Sequence, residues 1–413
     1  MNFKYVELFA GIGGFRAALD KLGGECVLAA EWDKFARQSY TALYGDDHLH
    51  GDVTKINGNE VPDHDVMVFG MPCQAFSVAG KRLGFDDMRG TLYFEAMRIA
   101  KAKKPKVLWM ENVKGLVGHD KGRTLEVMAQ AMCDLGYTID FDVLNSKYFG
   151  VPQNRERIFL IGVRDDLIEL APWVTGRRTD VVAKGKKRIS ALAGVKTFNF
   201  DWPTQEAVTI RLRDILEPVV DEKYYLSEEK TAALVAKLRD KETEILENRK
   251  DDDVNPIYTP DMVTKNQNGR RIKPADDVMP ALTVQDRHGV VEGLPIREAT
   301  KQGYAIANEG DAVNFQFPNS KTRRGRVGKQ IAQTLEANAI NQGVVTRQYR
   351  IRKLTPLETW RLQGFSDEAH ETVKAAGISD SQRYKQAGNA VTINVIEAIG
   401  RKLLPLIDGK GGV

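Results

Sequence analysis

Cys73 stands after four apolar residues, Val66–Phe69, and a turn, Gly70-Met-Pro72. An apolar run of that length fits a buried strand, and glycine with proline ends it. The thiol is then presented at the strand's carboxyl end instead of inside a core. A thiolate there is a nucleophile, provided its proton is removed or its charge stabilised nearby. Cys26 and Cys133 lack such punctuation and read as inert core thiols. Glu111 follows a second apolar run, Val107–Met110. A partly desolvated carboxylate holds its proton more tightly and suits proton donation; the plain alternative is a helix cap or structural carboxylate. Phe9-Ala-Gly-Ile-Gly-Gly14 is a glycine-rich strand-to-helix turn. It falls short of the dinucleotide fingerprint, because Arg16 stands where Gly-x-Gly-x-x-Gly calls for its last glycine. Glu31 closes the next apolar run, where it could bond a ribose, and Trp32 could stack on a purine.

The elements that must hold these residues alternate. Strands are expected at Tyr5–Phe9, Val27–Ala30, Asp65–Phe69, Val107–Met110 and Ile158–Val163. Helices are expected at Phe15–Leu22, Leu92–Ala102 and Thr124–Leu135. That alternation implies an α/β fold with a doubly wound, mostly parallel sheet. In such sheets ligands bind beyond the carboxyl ends of the strands, where the residues above fall. Past about Val174 the alternation stops. Basic clusters, Arg177-Arg178 and Lys184–Arg188, sit in loop-like sequence, and Ser227 is expected to cap a charged surface helix reaching about Asn248. A weak internal repeat follows: Gly269-Arg-Arg-Ile, Ala281-Leu-Thr-Val284 and Gly289-Val-Val291 are echoed by Gly325-Arg-Val, Gln333-Thr-Leu335 and Gly343-Val-Val345. Two copies fit two strand-turn-strand units, with chance as the alternative. Short helices at Pro356–Leu362 and Ala390–Leu404 close the chain.

Composition sets the outer bounds. At 413 residues the chain has room for two or three domains, and 42% hydrophobic with 28% charged residues is an ordinary globular balance. Sixty basic against 56 acidic residues leave +4, which excludes a histone-like polycation but not a local basic face. The three cysteines have neither disulfide nor metal-ligand spacing, so a reducing compartment and no metal are expected. The amino terminus has no signal-peptide pattern and no apolar run is long enough to span a membrane.

Six segments together resemble the DNA cytosine-5 methyltransferases: FAGIGG (Phe9–Gly14), GMPCQAFS (Gly70–Ser77), ENV (Glu111–Val113), QNRERIFLIG (Gln153–Gly162), RKLTPLETWRLQGF (Arg352–Phe365) and QAGNAV (Gln386–Val391). Their order and spacing make the resemblance specific. It implies a Rossmann-like catalytic domain over 1–190 and an irregular, β-rich target-recognition domain over 191–355. It also implies that 356–413 is a hinge and helix returning to the first domain. It implies attack of Cys73 on carbon 6 of a flipped-out cytosine in double-stranded DNA, protonation or hydrogen bonding at ring nitrogen 3 by Glu111, and methylation at carbon 5 by S-adenosylmethionine, leaving S-adenosylhomocysteine. Asn112 and Arg157 would hold the ring, and Arg155 would order the site. Phe9, Gly11, Gly13, Glu31, Trp32, Asp52, Val53, Pro72, Leu92, Asn389 and Val391 would bind the cofactor.

A base buried in a stack is out of a thiol's reach, so the target must swing out and something must close over it. Ser77–Thr91 carries glycines and Lys81, Arg82 and Arg89, as a closing loop would. Gln74 and Ser77 would face DNA. In the recognition region Arg323, Arg324 and Arg326 crowd into Lys321–Lys329, where arginine could read guanine and lysine could position phosphate. Thr334-Leu335 resembles the family's Thr-Leu pair, with Thr283-Val284 as a second candidate. By the same resemblance the protein is a monomer of the prokaryotic cytoplasm, nucleoid-associated, with a restriction endonuclease as separate partner. Three other readings stand beside it. Methylation of cytosine in RNA uses similar motifs. An oxidoreductase would explain only the glycine turn, and a non-catalytic DNA-binding protein has no need of Cys73 and Glu111.

Overall fold

The computed structural model describes residues 2–71, 92–176, 179–207, 209–236, 240–249, 253–260, 262, 271–275, 277–283, 288–297, 304–307, 311–314, 327–328, 342–344 and 350–408. The first half runs through β1 (Phe3–Leu8), β2 (Gly24–Ala30), β3 (Leu49–His50), β4 (Val66–Phe69), β5 (Val107–Val113), β6 (Tyr137–Asn145), β7 (Gln153–Asn154) and β8 (Glu156–Arg164). All but β7 form one seven-stranded sheet in the order β3-β2-β1-β4-β5-β8-β6. β1 pairs in parallel with β2 and β4, and β4 with β5. The Ile158–Val163 strand lies in β8, which runs antiparallel to β5 and to β6, so the sheet is mixed at that edge.

Burial explains the strand sequences. Every residue of β4 is buried, as expected for a strand covered on both faces. Trp109 of β5 is fully buried and meets Phe15 edge to face at 5.3 Å, an arrangement that adds about 1 kcal/mol beyond area burial. Helix Lys34–Tyr44, which the sequence reading passed over, is capped by Asp33, whose carboxylate accepts from the amides of Phe35 and Ala36. The cluster Lys184–Arg188 is helical instead of loop-like, within Val181–Ile189. Two of its cations serve the fold: Lys186 pairs with buried Asp140 of β6 at 2.6 Å, and Arg188 with Glu126 at 3.1 Å.

Contacts divide the chain into two compact units, residues 1–151, 155–208 and 363–413 in one, residues 152–154 and 209–362 in the other. The first unit continues as far as Val208, and within it residues 196–202 extend the sheet edge. Ile139 of β6 bonds the carbonyl of Lys196 at 2.9 Å, and the indole of Trp202 donates to Asp140 at 2.8 Å.

The second unit is built from short strands: β9 (Asn255–Ile257), β10 (Met279–Pro280), β11 (Gly289–Glu292), β12 (Leu294–Arg297), β13 (Tyr304–Ala307), β14 (Ala312–Asn314), β15 (Val327–Gly328), β16 (Gln342–Val344) and β17 (Arg350–Lys353). Its helix from Ser227 ends at Val235; a separate helix spans Asp240–Glu247. The internal repeat has a structural counterpart. In the first copy Ile257 of β9 pairs with both Ile272 and Gly289; in the second, Val313 of β14 pairs with both Val327 and Gly343. Both copies thus hang two arms, each antiparallel, on a preceding strand in the same register.

Candidate active site

The turn after β1 is shaped by backbone that favours glycine. Phe9, Gly11 and Gly13 have φ of 57°, 59° and 78°. Gly13 caps the helix Gly14–Leu19 in the left-handed conformation, and its amide bonds the carbonyl of Ala10 at 2.8 Å. Glu31, at the end of β2, locks the turn. Its carboxylate accepts from the amide of Gly11 at 2.8 Å and from that of Asp33 at 2.7 Å. Burial pushes the Glu31 carboxyl up, and these backbone amides oppose the shift. Trp32 beside it is 81% exposed. A Cβ on Gly11 would meet no described atom within 4 Å.

Asp52 starts a short 3-10 turn, accepting from the amide of Thr54 at 3.0 Å and its hydroxyl at 2.8 Å; those bonds hold its pKa down. Val53 is buried, and Leu92 opens the helix Leu92–Lys103 and packs against the core. The carboxyl-terminal segment reaches the same turn. A Cβ on Gly14 would lie 2.7 Å from Val391, Lys385 pairs with Asp33 at 2.8 Å, and Gln386 donates to Ser39 at 2.8 Å. Asn389, between Gly388 and Ala390, is exposed.

The second corner is charged. Glu111 lies inside β5 and not beyond it, because the strand continues to Val113 through its pairing with β8. That pairing sets Arg157 opposite Val113, and its guanidinium meets Glu111 at 3.1 Å. A Cβ on Gly70, at the exit of β4, would lie 3.5 Å from the Glu111 carboxylate and 4.0 Å from Val391. The chain therefore leaves β4 beside this ion pair, with Cys73 next in sequence. Asn112 is buried and donates to the carbonyl of Met71 at 3.2 Å, tying β5 to that exit. Arg155 is buried too and donates to the carbonyls of Gly388 and Ala390, the latter at 2.7 Å. Burial, aided by the Arg157 charge, pushes its pKa down to about 9, so it stays cationic at neutral pH.

Cys26 and Cys133 are buried thiols, and burial pushes Cys26 up to about 12, away from nucleophilic use. Pro72, Cys73, Gln74, Ser77, Lys81, Arg82, Arg89, Arg323, Arg324, Arg326 and Thr334 lie outside the described residues. The sequence reading gave no role to Gln153. It is fully buried in the second unit, donating to the carbonyl of Leu362 at 2.9 Å and accepting from the amide of Leu282 at 3.3 Å. Its neighbourhood in Gln-x-Arg-x-Arg was the available signal. Among the described residues no helix is long and apolar enough to cross a membrane.

A family model described as C-5 cytosine-specific DNA methylase matches residues 3–405. The orphan methyltransferase M.SPRI of Bacillus phage SPR is 40% identical, over 98% of this chain and 98% of its own. The type II methyltransferase M.HhaI of Haemophilus parahaemolyticus is 49% identical over 40% of this chain and 50% of its own. Among solved structures, the Entamoeba histolytica methyltransferase EhMeth superposes with a TM-score of 0.55 over 98% of both chains, at 15% identity, a likeness of fold. One family thus spans the glycine turn, the charged corner and the returning helix, and this chain belongs to the C-5 cytosine-specific DNA methylases.

Proposed function

We propose that this DNA cytosine-5 methyltransferase acts on a cytosine swung out of double-stranded DNA, with S-adenosylmethionine as methyl donor and a covalent bond from Cys73 as the activating step. One observation carries the reading: β4 exits at Gly70 beside the Glu111–Arg157 pair, while no described atom lies within 4 Å of a Cβ built on Gly11. The residues there fit the donor. Phe9, Gly11 and Gly13 offer backbone and room, Glu31 a carboxylate for hydroxyls, Trp32 an exposed indole for a purine, and Asp52 and Asn389 polar edges. Val53, Pro72, Leu92 and Val391 would complete the walls. When bound, the donor supplies an electrophilic methyl group.

In this proposal the Cys73 thiolate adds to carbon 6. The electron pair it displaces moves toward ring nitrogen 3, where Glu111 supplies a proton or hydrogen bond. Carbon 5 then carries the density that accepts the methyl group. Loss of the carbon 5 proton and expulsion of the thiolate restore the ring. Arg157 faces the base carbonyl while holding Glu111, Asn112 fixes the β4 exit, and Arg155 anchors the carboxyl-terminal segment. Extruding the base costs roughly a few kcal/mol, which contacts from Gln74, Ser77, Lys81, Arg82 and Arg89 would offset. Residues 191–355 would read the target, with Arg323, Arg324, Arg326 and Thr334 against DNA. The protein would act as a monomer on nucleoid DNA, and any cognate endonuclease would be a separate protein.

The test is transfer from a tritiated donor to duplex DNA or to tRNA, followed by location of the label. Label at carbon 5 of cytosine in duplex DNA is expected. Label on adenine, label on RNA alone, or no transfer would each overturn the reading. Cys73→Ala should abolish transfer and leave DNA binding intact; joint loss would mark Cys73 as structural.

A further inference from the structure

Arg16 is the residue that spoils the dinucleotide fingerprint, and no step above uses it. It is enclosed instead of solvated. Its guanidinium lies 4.7 Å from the ring centre of Tyr44 and 5.5 Å from that of Tyr40. It donates to the Tyr40 hydroxyl at 3.1 Å and to Asp20 at 3.3 Å. Tyr40 in turn donates to Glu7 at 3.3 Å, two residues before the turn begins. The two ring centres lie 4.9 Å apart with the planes tilted by 59°, and the Tyr44 hydroxyl donates to the carbonyl of Gly13 at 3.1 Å. A Cβ on Gly13 would lie 2.4 Å from the Tyr44 ring. The ring therefore occupies the space a side chain at that turn would need.

We propose that Arg16 is a positioning residue for the methyl donor. Set against Tyr40 and Tyr44 of helix Lys34–Tyr44, it holds Tyr44 against Gly13 and so fixes the turn at Gly13, as Glu31 does at Gly11. This rests on the reading of that turn as the donor's cradle. The glycine of a dinucleotide fingerprint lets a helix approach its strand closely. Here a cation set against two tilted rings and paired with Asp20 does the spacing.

The test measures S-adenosylhomocysteine binding by calorimetry, and donor KM against kcat, for wild type, Arg16→Met, Arg16→Lys and Tyr44→Phe. Arg16→Met should raise Kd and donor KM about tenfold, with kcat at saturating donor within about twofold of wild type. Tyr44→Phe, which removes one hydroxyl, should raise both about two- to fivefold. Arg16→Lys should recover part of the loss, because an ammonium can still sit over the rings. Unchanged donor affinity in Arg16→Met and Tyr44→Phe would overturn the proposal. So would a fall in kcat and melting temperature at constant KM, the mark of a purely structural residue. If wild type itself failed to bind S-adenosylhomocysteine, the donor reading would be sunk and the brace with it.

Discussion

The two corners of this site leave the same sheet but differ in charge, and only one carries an ion pair against the substrate side. After β1 the chain is held through its backbone: Glu31 accepts the Gly11 amide, and Tyr44 donates to the Gly13 carbonyl. At the ends of β4 and β5 side chains again reach peptide carbonyls, Asn112 that of Met71 and Arg155 those of Gly388 and Ala390, but an ion pair, Arg157 with Glu111, is added. A turn that cradles a ligand gains by keeping its own side chains small and its peptide groups fixed. A corner that must move a proton needs charged groups set against each other. The distinction can be broken by substitutions that separate donor binding from turnover.

The largest effect is expected at the charged corner. Glu111→Gln keeps the shape but removes the carboxylate that pairs with Arg157 and any acid function at ring nitrogen 3. Its kcat should fall about 10²- to 10⁴-fold, with donor KM within about twofold of wild type, in steady-state assays on duplex DNA. A parallel rise in donor KM would mean that the corners do not act separately. The glycine turn should give smaller, split effects. Gly13→Ala drives a Cβ into Tyr44 at a φ of 78° and should cost about 1–3 kcal/mol of stability in thermal melts. Gly11→Ala meets no described atom, so its stability loss should be the smaller, yet donor affinity should fall about tenfold because the methyl group fills the cradle. Equal stability losses at both glycines would remove the Tyr44 brace as an explanation.

Much of the charged corner could be read in the sequence, because a short apolar run closed by Gly-x-Pro marks a buried strand's end; Glu111 reads as the close of such a run too, but β5 runs on through it to Val113 by pairing with β8. The sheet's third through fifth strands in space, β1, β4 and β5, came from such runs. The brace could not be read so. Arg16, Tyr40 and Tyr44 lie on two helices, and only tertiary packing brings them together. β6 was missed for a related reason. Its Asp140 and Asp142 alternate with apolar residues as an exposed face would, yet Asp140 is buried because Lys186, from a segment that looked like loop, satisfies it. Lys184–Arg188 was misjudged with it: read as basic surface, it is a helix with two cations paired internally. The antiparallel run of β8 also has no local signature, since direction is set by which strands a segment joins. The repeat in the second unit was the reverse case. Few identities supported it, but equal pairing of Ile257 and Val313 shows that register outlasts sequence.

The smallest effect on turnover is expected at Glu7, and its sign separates the corners once more. Glu7 is fully buried, and burial pushes its carboxyl up to about 8, against the opposing charge of Arg16 and the Tyr40 hydrogen bond. The other titratable groups around it are Tyr5, Asp20, Cys26 and Tyr44. The folded state therefore keeps a proton that the unfolded chain releases near 4.5. Its stabilising contribution is complete below that value, declines as pH rises, and is spent once pH passes about 8. Glu7→Gln fixes the neutral form. Relative to wild type, the variant should gain stability between pH 5 and pH 8 with a slope of up to about 1.4 kcal/mol per pH unit, and none above it. Denaturant melts across that range read the difference, in which all other titrations cancel. Turnover near pH 7 should barely change, because wild-type Glu7 is already mostly protonated there. A difference that is flat with pH would place the charge on Glu7 in the native state, and the β1 corner would then be an ionic one like its neighbour.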